Sequence, residues 1–114
     1  MSPPVPPDQK QIVTLDFEVF GKVQGVYFRA NTKAEADKLD VRGWVKNTPA
    51  GSVVGHLEGT PEDMSTMKRW LRKTGSPKSR IDKAVFGNMG YLNEHEYSGF
   101  TIRMEKLQFV KAEK

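Results

Sequence analysis

The chain has 114 residues, 28% of them charged, a formal net charge of +4 and no cysteine. A chain of that length supports one domain with a modest core, and the lack of cysteine excludes disulfides, thiolate nucleophiles and the usual structural zinc sites. No run of about 18 apolar residues and no charged-then-apolar leader is present, so no membrane span or secretory signal is expected, and the expected address is cytoplasmic.

The first eleven residues hold four prolines and almost no core material, so 1–11 is read as a disordered, polyproline-like tail. Val13, Leu15, Phe17 and Val19 then alternate with Thr14, Asp16 and Glu18, the period of a half-buried strand over 13–20. Glycines 21 and 25 bound a loop, after which 26–39 is rich in helix formers, with Phe28, Ala36 and Leu39 as its inward stripe. Two strands follow, 41–48 and 52–59, joined by the turn residues Thr-Pro-Ala-Gly. Thr60 can cap a second helix, with Pro61 at its first position and Asp63 where a capping-box acid stands. Met64, Met67 and Leu71 form that helix's core stripe, and Gly75-Ser-Pro ends it.

A strand is expected over 80–86, then a polar loop, then an element in which Phe100, Ile102 and Met104 alternate with polar residues. The order β-α-β-β-α-β, with the piece around Phe100 as its last strand or a fifth one, predicts an α+β fold: a ferredoxin-like α/β sandwich. Two right-handed split βαβ units give an antiparallel sheet with both helices on one face. The domain is read as 12–106, with 107–114 a C-terminal extension.

The segment Gly21-Lys22-Val23-Gln24-Gly25-Val26-Tyr27-Phe28-Arg29 joins the first strand to the first helix. A glycine-bounded turn there lets successive main-chain N–H groups converge on an anion, and the helix start adds unpaired N–H groups and the positive end of its dipole. Arg29, in the first helical turn, meets that dipole unfavourably by about 0.3–1 kcal/mol when exposed. The placement makes sense if an anion lies between the guanidinium and the N–H groups. On these grounds alone, a solvated arginine beside two ordinary turn glycines explains the segment equally well.

The pattern G-x-V-Q-G-V-x-F-R over 21–29, followed by Gly43-Trp44-Val45-Lys46-Asn47, resembles both signature motifs of the acylphosphatases. The resemblance runs from about Val13 to Glu105 and takes in Thr48, Gly51 and the stretch 75–77. It implies that residues 22–29 (Lys22, Val23, Gln24, Gly25, Val26, Tyr27, Phe28 and Arg29) cradle a phosphate and that Arg29 is its phosphate-binding arginine. It further implies that Asn47 positions the attacking water, with Gly21 and Thr48 in support. The activity implied is hydrolysis of acyl phosphates to a carboxylate and inorganic phosphate by direct attack of that water, with no metal or cofactor. The expected ligands are a small acyl phosphate and, in competition, inorganic phosphate or sulfate. The expected state is a monomer without nucleic-acid or membrane partners.

Those residues suffice chemically. The leaving carboxylate is a weak base and needs no strong acid, so catalysis reduces to holding the phosphoryl group, neutralising its charge and aligning water. The rival chemistries leave no trace: no P-loop pattern is present, and His56 and His95 read as solitary residues, on a strand face and in a polar loop respectively. Trp44 reads as packing, Lys46 as a solvated strand residue, and the Lys68, Arg69, Arg72 and Lys73 cluster as the wet face of a helix. Two alternatives keep the same fold: a catalytically silent anion-binding domain, and an RNA-binding module, which would need stacking aromatics that 52–59 lacks.

Overall fold

The computed structural model describes residues 11–104; the tail up to residue 10 and the extension at 107–114 lie outside the described residues. The chain runs β1 (Ile12–Lys22), α1 (Phe28–Leu39), β2 (Arg42–Asn47), β3 (Val53–Gly59), α2 (Pro61–Arg69), a π-helical turn (Trp70–Thr74), β4 (Arg80–Leu92) and β5 (Phe100–Ile102). The strands form one sheet in the order β4-β1-β3-β2-β5. Four of them pair antiparallel, as the element order predicts. β5 departs from that pattern: it lies parallel to the free edge of β2, with Phe100 opposite Gly43 and Ile102 opposite Val45.

Alternation along β1 sends Val13, Leu15, Phe17 and Val19 into the core. They meet Phe28 and Ala36 of α1, Met64 and Met67 of α2, and Val45, Val53, Leu57 and Phe100 from the other strands, so both helices cover one face of the sheet. Burying a side chain such as Leu15 or Phe28 contributes about 1.5–3 kcal/mol, so this face supplies most of the favourable term. The α1 stripe holds Phe28, Ala36 and Leu39 as predicted, with one addition. Thr32 is buried in it, its hydroxyl donating to Phe28 O at 2.7 Å, while Leu39 is only half-buried.

α2 follows its cap chemistry. Thr60 accepts from Asp63 N, Pro61 opens the helix, and the acids Glu62 and Asp63 stand in the first turn with Lys68 and Arg69 in the last. Gly75, at φ 63°, ends the π-turn, its N–H donating to Trp70 O at 3.0 Å.

β4 is longer than the predicted 80–86. Residues 87–92 have no alternation, yet Ile12, Val13 and Thr14 of β1 supply a ladder for Leu92, Tyr91 and Gly90. A register shift between Thr14 and Asp16, with Asn88 at φ 52°, absorbs the irregular sequence. Pairing overrides weak local propensity there. No helix among the described residues is long and apolar enough to cross a membrane.

Candidate active site

Between β1 and α1 the backbone reverses hand twice: Gly25 has φ 77° and Tyr27 φ 61°, with Val26 between them at ordinary negative φ. Such alternation turns successive N–H groups toward one side. Among the described residues, none of the main-chain N–H groups of residues 24–30 finds a main-chain acceptor; the first amide of this stretch to do so is that of Asn31, which donates to Tyr27 O at 3.0 Å. Residues 28–30 are unpaired because they form the first turn of α1. The sequence thus yields a run of seven donors at the positive end of a helix.

Five of those donors, on Gly25, Tyr27, Phe28, Arg29 and Ala30, belong to residues that line an open cleft of about 490 Å³, together with Val23, Asn47, Ile102 and Met104. Arg29 is half-buried there. None of the ion pairs among the described residues involves it, and its Nη1 approaches Met104 Sδ at 3.7 Å. Asn47 is the last residue of β2, paired with Val53 of β3. Two-residue alternation puts it on the helix-covered face with Gly43 and Val45, so it reaches the same cleft. Its Oδ1 is buried and has no hydrogen-bond partner among the described residues. A buried acceptor left unmatched costs about 1–3 kcal/mol, which marks this atom as a place where a further donor, such as water, would be welcome.

The predicted site residues divide in the fold. Val23, Gly25, Tyr27, Phe28, Arg29 and Asn47 line one cleft. Gln24 turns away from it: its Nε2 donates to Thr48 O and to Ser52 O, both at 2.8 Å, tying the loop to the β2–β3 hairpin just beyond Asn47. Thr48 closes that hairpin, with its Oγ1 2.7 Å from Ser52 Oγ, and Ser52 in turn donates to Glu18 Oε2 at 2.6 Å. Val26 is buried in the core, and Lys22 is exposed at the end of β1 opposite Arg80. Gly21 lies against β4: a Cβ there would run into Arg80 O, so glycine is required for the two strands to close. β5 and the residues just after it add Ile102 and Met104 to the site. Their alternation was visible in the sequence, but the parallel pairing that brings them beside Arg29 was not.

The two histidines are not solitary. The Glu58 side chain is fully buried on the other face of the sheet, under residues 93–99. Its Oε1 accepts from His95 Nδ1 at 3.2 Å, Glu96 N at 2.9 Å and Tyr97 N at 3.2 Å. His56 lies 3.8 Å from Glu58 Oε2 on one side and 2.7 Å from Asp16 Oδ1 on the other. Partial burial alone would raise the Asp16 carboxyl; hydrogen bonds from Asn88 and His56, with the attraction of the His56 ring, outweigh it and hold the group below its ordinary range. This cluster is separated from the cleft by the sheet. Among the described residues no three His, Asp or Glu side chains are grouped as metal ligands.

Comparison with known proteins agrees with this geometry. The family model for acylphosphatase matches residues 15–102. Acylphosphatase-2 of Cavia porcellus is 52% identical over 93 residues, covering 82% of this chain and 94% of the relative. Acylphosphatase-1 of Xenopus laevis is 50% identical over 95 residues, covering 83% and 96% respectively. Among solved structures, an acylphosphatase from Coxiella burnetii superposes with a TM-score of 0.70 at 29% identity, covering 84% of this chain and 96% of that one.

Proposed function

This chain belongs to the acylphosphatase family and is a hydrolase acting on acyl phosphates, and we propose that it works by direct attack of a water aimed by Asn47 on a phosphoryl group held by Arg29 and the 24–30 amides. The observation that carries this reading is the meeting, in one cleft, of unpaired N–H groups, a guanidinium without a carboxylate partner among the described residues, and a buried carboxamide oxygen lacking a donor.

The phosphoryl oxygens take the main-chain N–H groups and the Arg29 fork, which neutralises the charge that the transition state spreads over them. Asn47 Oδ1 accepts a hydrogen bond from water and points the lone pair at phosphorus; an amide is too weak a base to take the proton. As the water–phosphorus bond forms, the bond from phosphorus to the acyl oxygen breaks and its electron pair leaves with the carboxylate. The water proton passes to a phosphate oxygen. Because the leaving group is already stable as an anion, the step calls for no Lewis acid and no covalent intermediate. Inorganic phosphate, which fits the same cradle, is a competitive ligand in this reading, and the enzyme acts as a cytoplasmic monomer.

The test is hydrolysis of benzoyl phosphate in EDTA by the parent and by Asn47→Ala. The parent is expected to turn over with phosphate as competitive inhibitor, and the variant to lose at least a hundredfold in kcat with its fold intact by circular dichroism. Full activity in the variant would refute the role given to Asn47.

A further inference from the structure

The side chain of Tyr27 is the most exposed large apolar group among the described residues, at 80% of its accessible area, and it stands on the rim of the cleft. Its backbone is left-handed, φ 61° and ψ 26°. For a bulky residue that conformation is rare and costs roughly 1–2 kcal/mol. A strained position persists when its surroundings over-determine it. Here Asn31 does so, donating to Tyr27 O from its own main-chain N–H at 3.0 Å and from Nδ2 at 2.9 Å. A large ring is thus held in water at an energetic cost, its Cα–Cβ bond fixed by the backbone, beside the proposed phosphate cradle.

Besides the buried Val23 and Phe28 and the small Ala30, two more apolar side chains line the same cleft. Ile102 ends β5, and Met104, 67% exposed, lies two residues further on within reach of Arg29. The cleft is therefore two-sided in chemistry. Its base carries N–H groups, a guanidinium and Asn47; its rim carries an aromatic ring, a branched aliphatic chain and a thioether. An acyl phosphate seated with its phosphoryl group on the base must direct its acyl group past that rim.

From this geometry we infer that Tyr27 is a specificity-determining residue: with Ile102 and Met104 it forms an apolar acyl subsite that favours acyl phosphates bearing an aromatic or comparably apolar group over those with a small or charged acyl group. The inference rests on the reading of the cleft as the acyl phosphate site. The ring gives an aromatic acyl group a stacking or edge-to-face partner and removes apolar area from water. The chemical step is unchanged; what differs between substrates is binding energy available in both ground and transition states.

The experiment compares kcat/KM for benzoyl phosphate and acetyl phosphate, in EDTA, for the parent, Tyr27→Phe and Tyr27→Gly. Glycine accepts the left-handed backbone and relieves its strain. Tyr27→Asn, also tolerant of that conformation, serves as a second truncation. The readout is the ratio of the two specificity constants, which cancels any loosening of the cradle common to both substrates. The ratio is expected to fall by roughly five- to twentyfold in both truncations, the loss expected for one aromatic contact together with the apolar area it buries, and to stay within about twofold in Tyr27→Phe. An unchanged ratio in Tyr27→Gly and Tyr27→Asn, with the parent active on both substrates, would overturn the subsite alone. A parent inactive on both would overturn the reading of the cleft and the subsite with it.

Discussion

Replacing Glu58 by alanine should damage this fold more than replacing any surface acid. The side chain is fully buried, and one of its oxygens receives three hydrogen bonds, from His95 Nδ1, Glu96 N and Tyr97 N. Each is worth about 0.5–1.5 kcal/mol net. Glu96 is exposed, so its N–H regains water after the change, and the desolvation that the carboxyl no longer suffers offsets part of the loss. The net cost is about 1–3 kcal/mol, or about 4–24 °C in Tm at 4–8 °C per kcal/mol for a domain of this size. Glu58→Gln keeps the acceptor and should cost about 1 kcal/mol or less. The damage should also reach the cleft. Residues 93–99 lead into β5, anchored by Gly43 N donating to Gly99 O at 3.0 Å and Arg42 Nη1 to Tyr97 O at 3.2 Å. Urea unfolding at pH 7, followed by circular dichroism, measures both variants. A Glu58→Ala protein within about 0.5 kcal/mol of the parent, or a glutamine variant as damaged as the alanine one, would refute the argument.

Gln24→Ala removes the two bonds that tie the cradle to the hairpin. Thr48 O still accepts from Gly51 N and Ser52 O from Thr48 N, so stability should fall by only about 1–2 kcal/mol. Because Asn47 and the cradle are then free to drift apart, kcat/KM for benzoyl phosphate should fall at least tenfold; unchanged turnover with the expected stability loss would separate Gln24 from catalysis. The depressed Asp16 carboxyl contributes stability that is present above about pH 4, the ordinary unfolded value, and is lost as pH falls through its lower folded value. The stability gap between the parent and Asp16→Asn should therefore be open at pH 6 and closed near pH 2–3. It should not exceed about 0.5–1 kcal/mol for a half-exposed group, and a gap that widens on acidification would contradict the assignment.

Features written in local chemistry were legible from the sequence. β1 was visible because four apolar residues alternate without interruption, and α2 because Thr60, Pro61 and Asp63 state its start in order. The proposed cradle was legible only in part: Gly25 and Arg29 sit where a turn feeds a helix, a placement that an ordinary turn explains equally well, and Asn47 entered through the family resemblance. What escaped depends on residues far apart in the chain. The last six residues of β4 form a strand only because the start of β1 offers them a partner. His56, Glu58 and His95 each looked unremarkable, since the burial of Glu58 comes from a loop almost 40 residues away that folds over a strand face expected to be open. Ile102 and Met104 were predicted to alternate in a strand, but nothing local says that this strand runs parallel to β2 and finishes the cleft wall.

The proposed mechanism depends on the 24–30 amides and Arg29 gripping a phosphate, and a titration of amide proton and nitrogen shifts with inorganic phosphate reports on both at once. Saturable shifts should concentrate in residues 24–30 and the Asn47 side chain, and the apparent affinity should drop at least tenfold in Arg29→Ala. Shifts absent from that segment, or an affinity indifferent to Arg29, would contradict it.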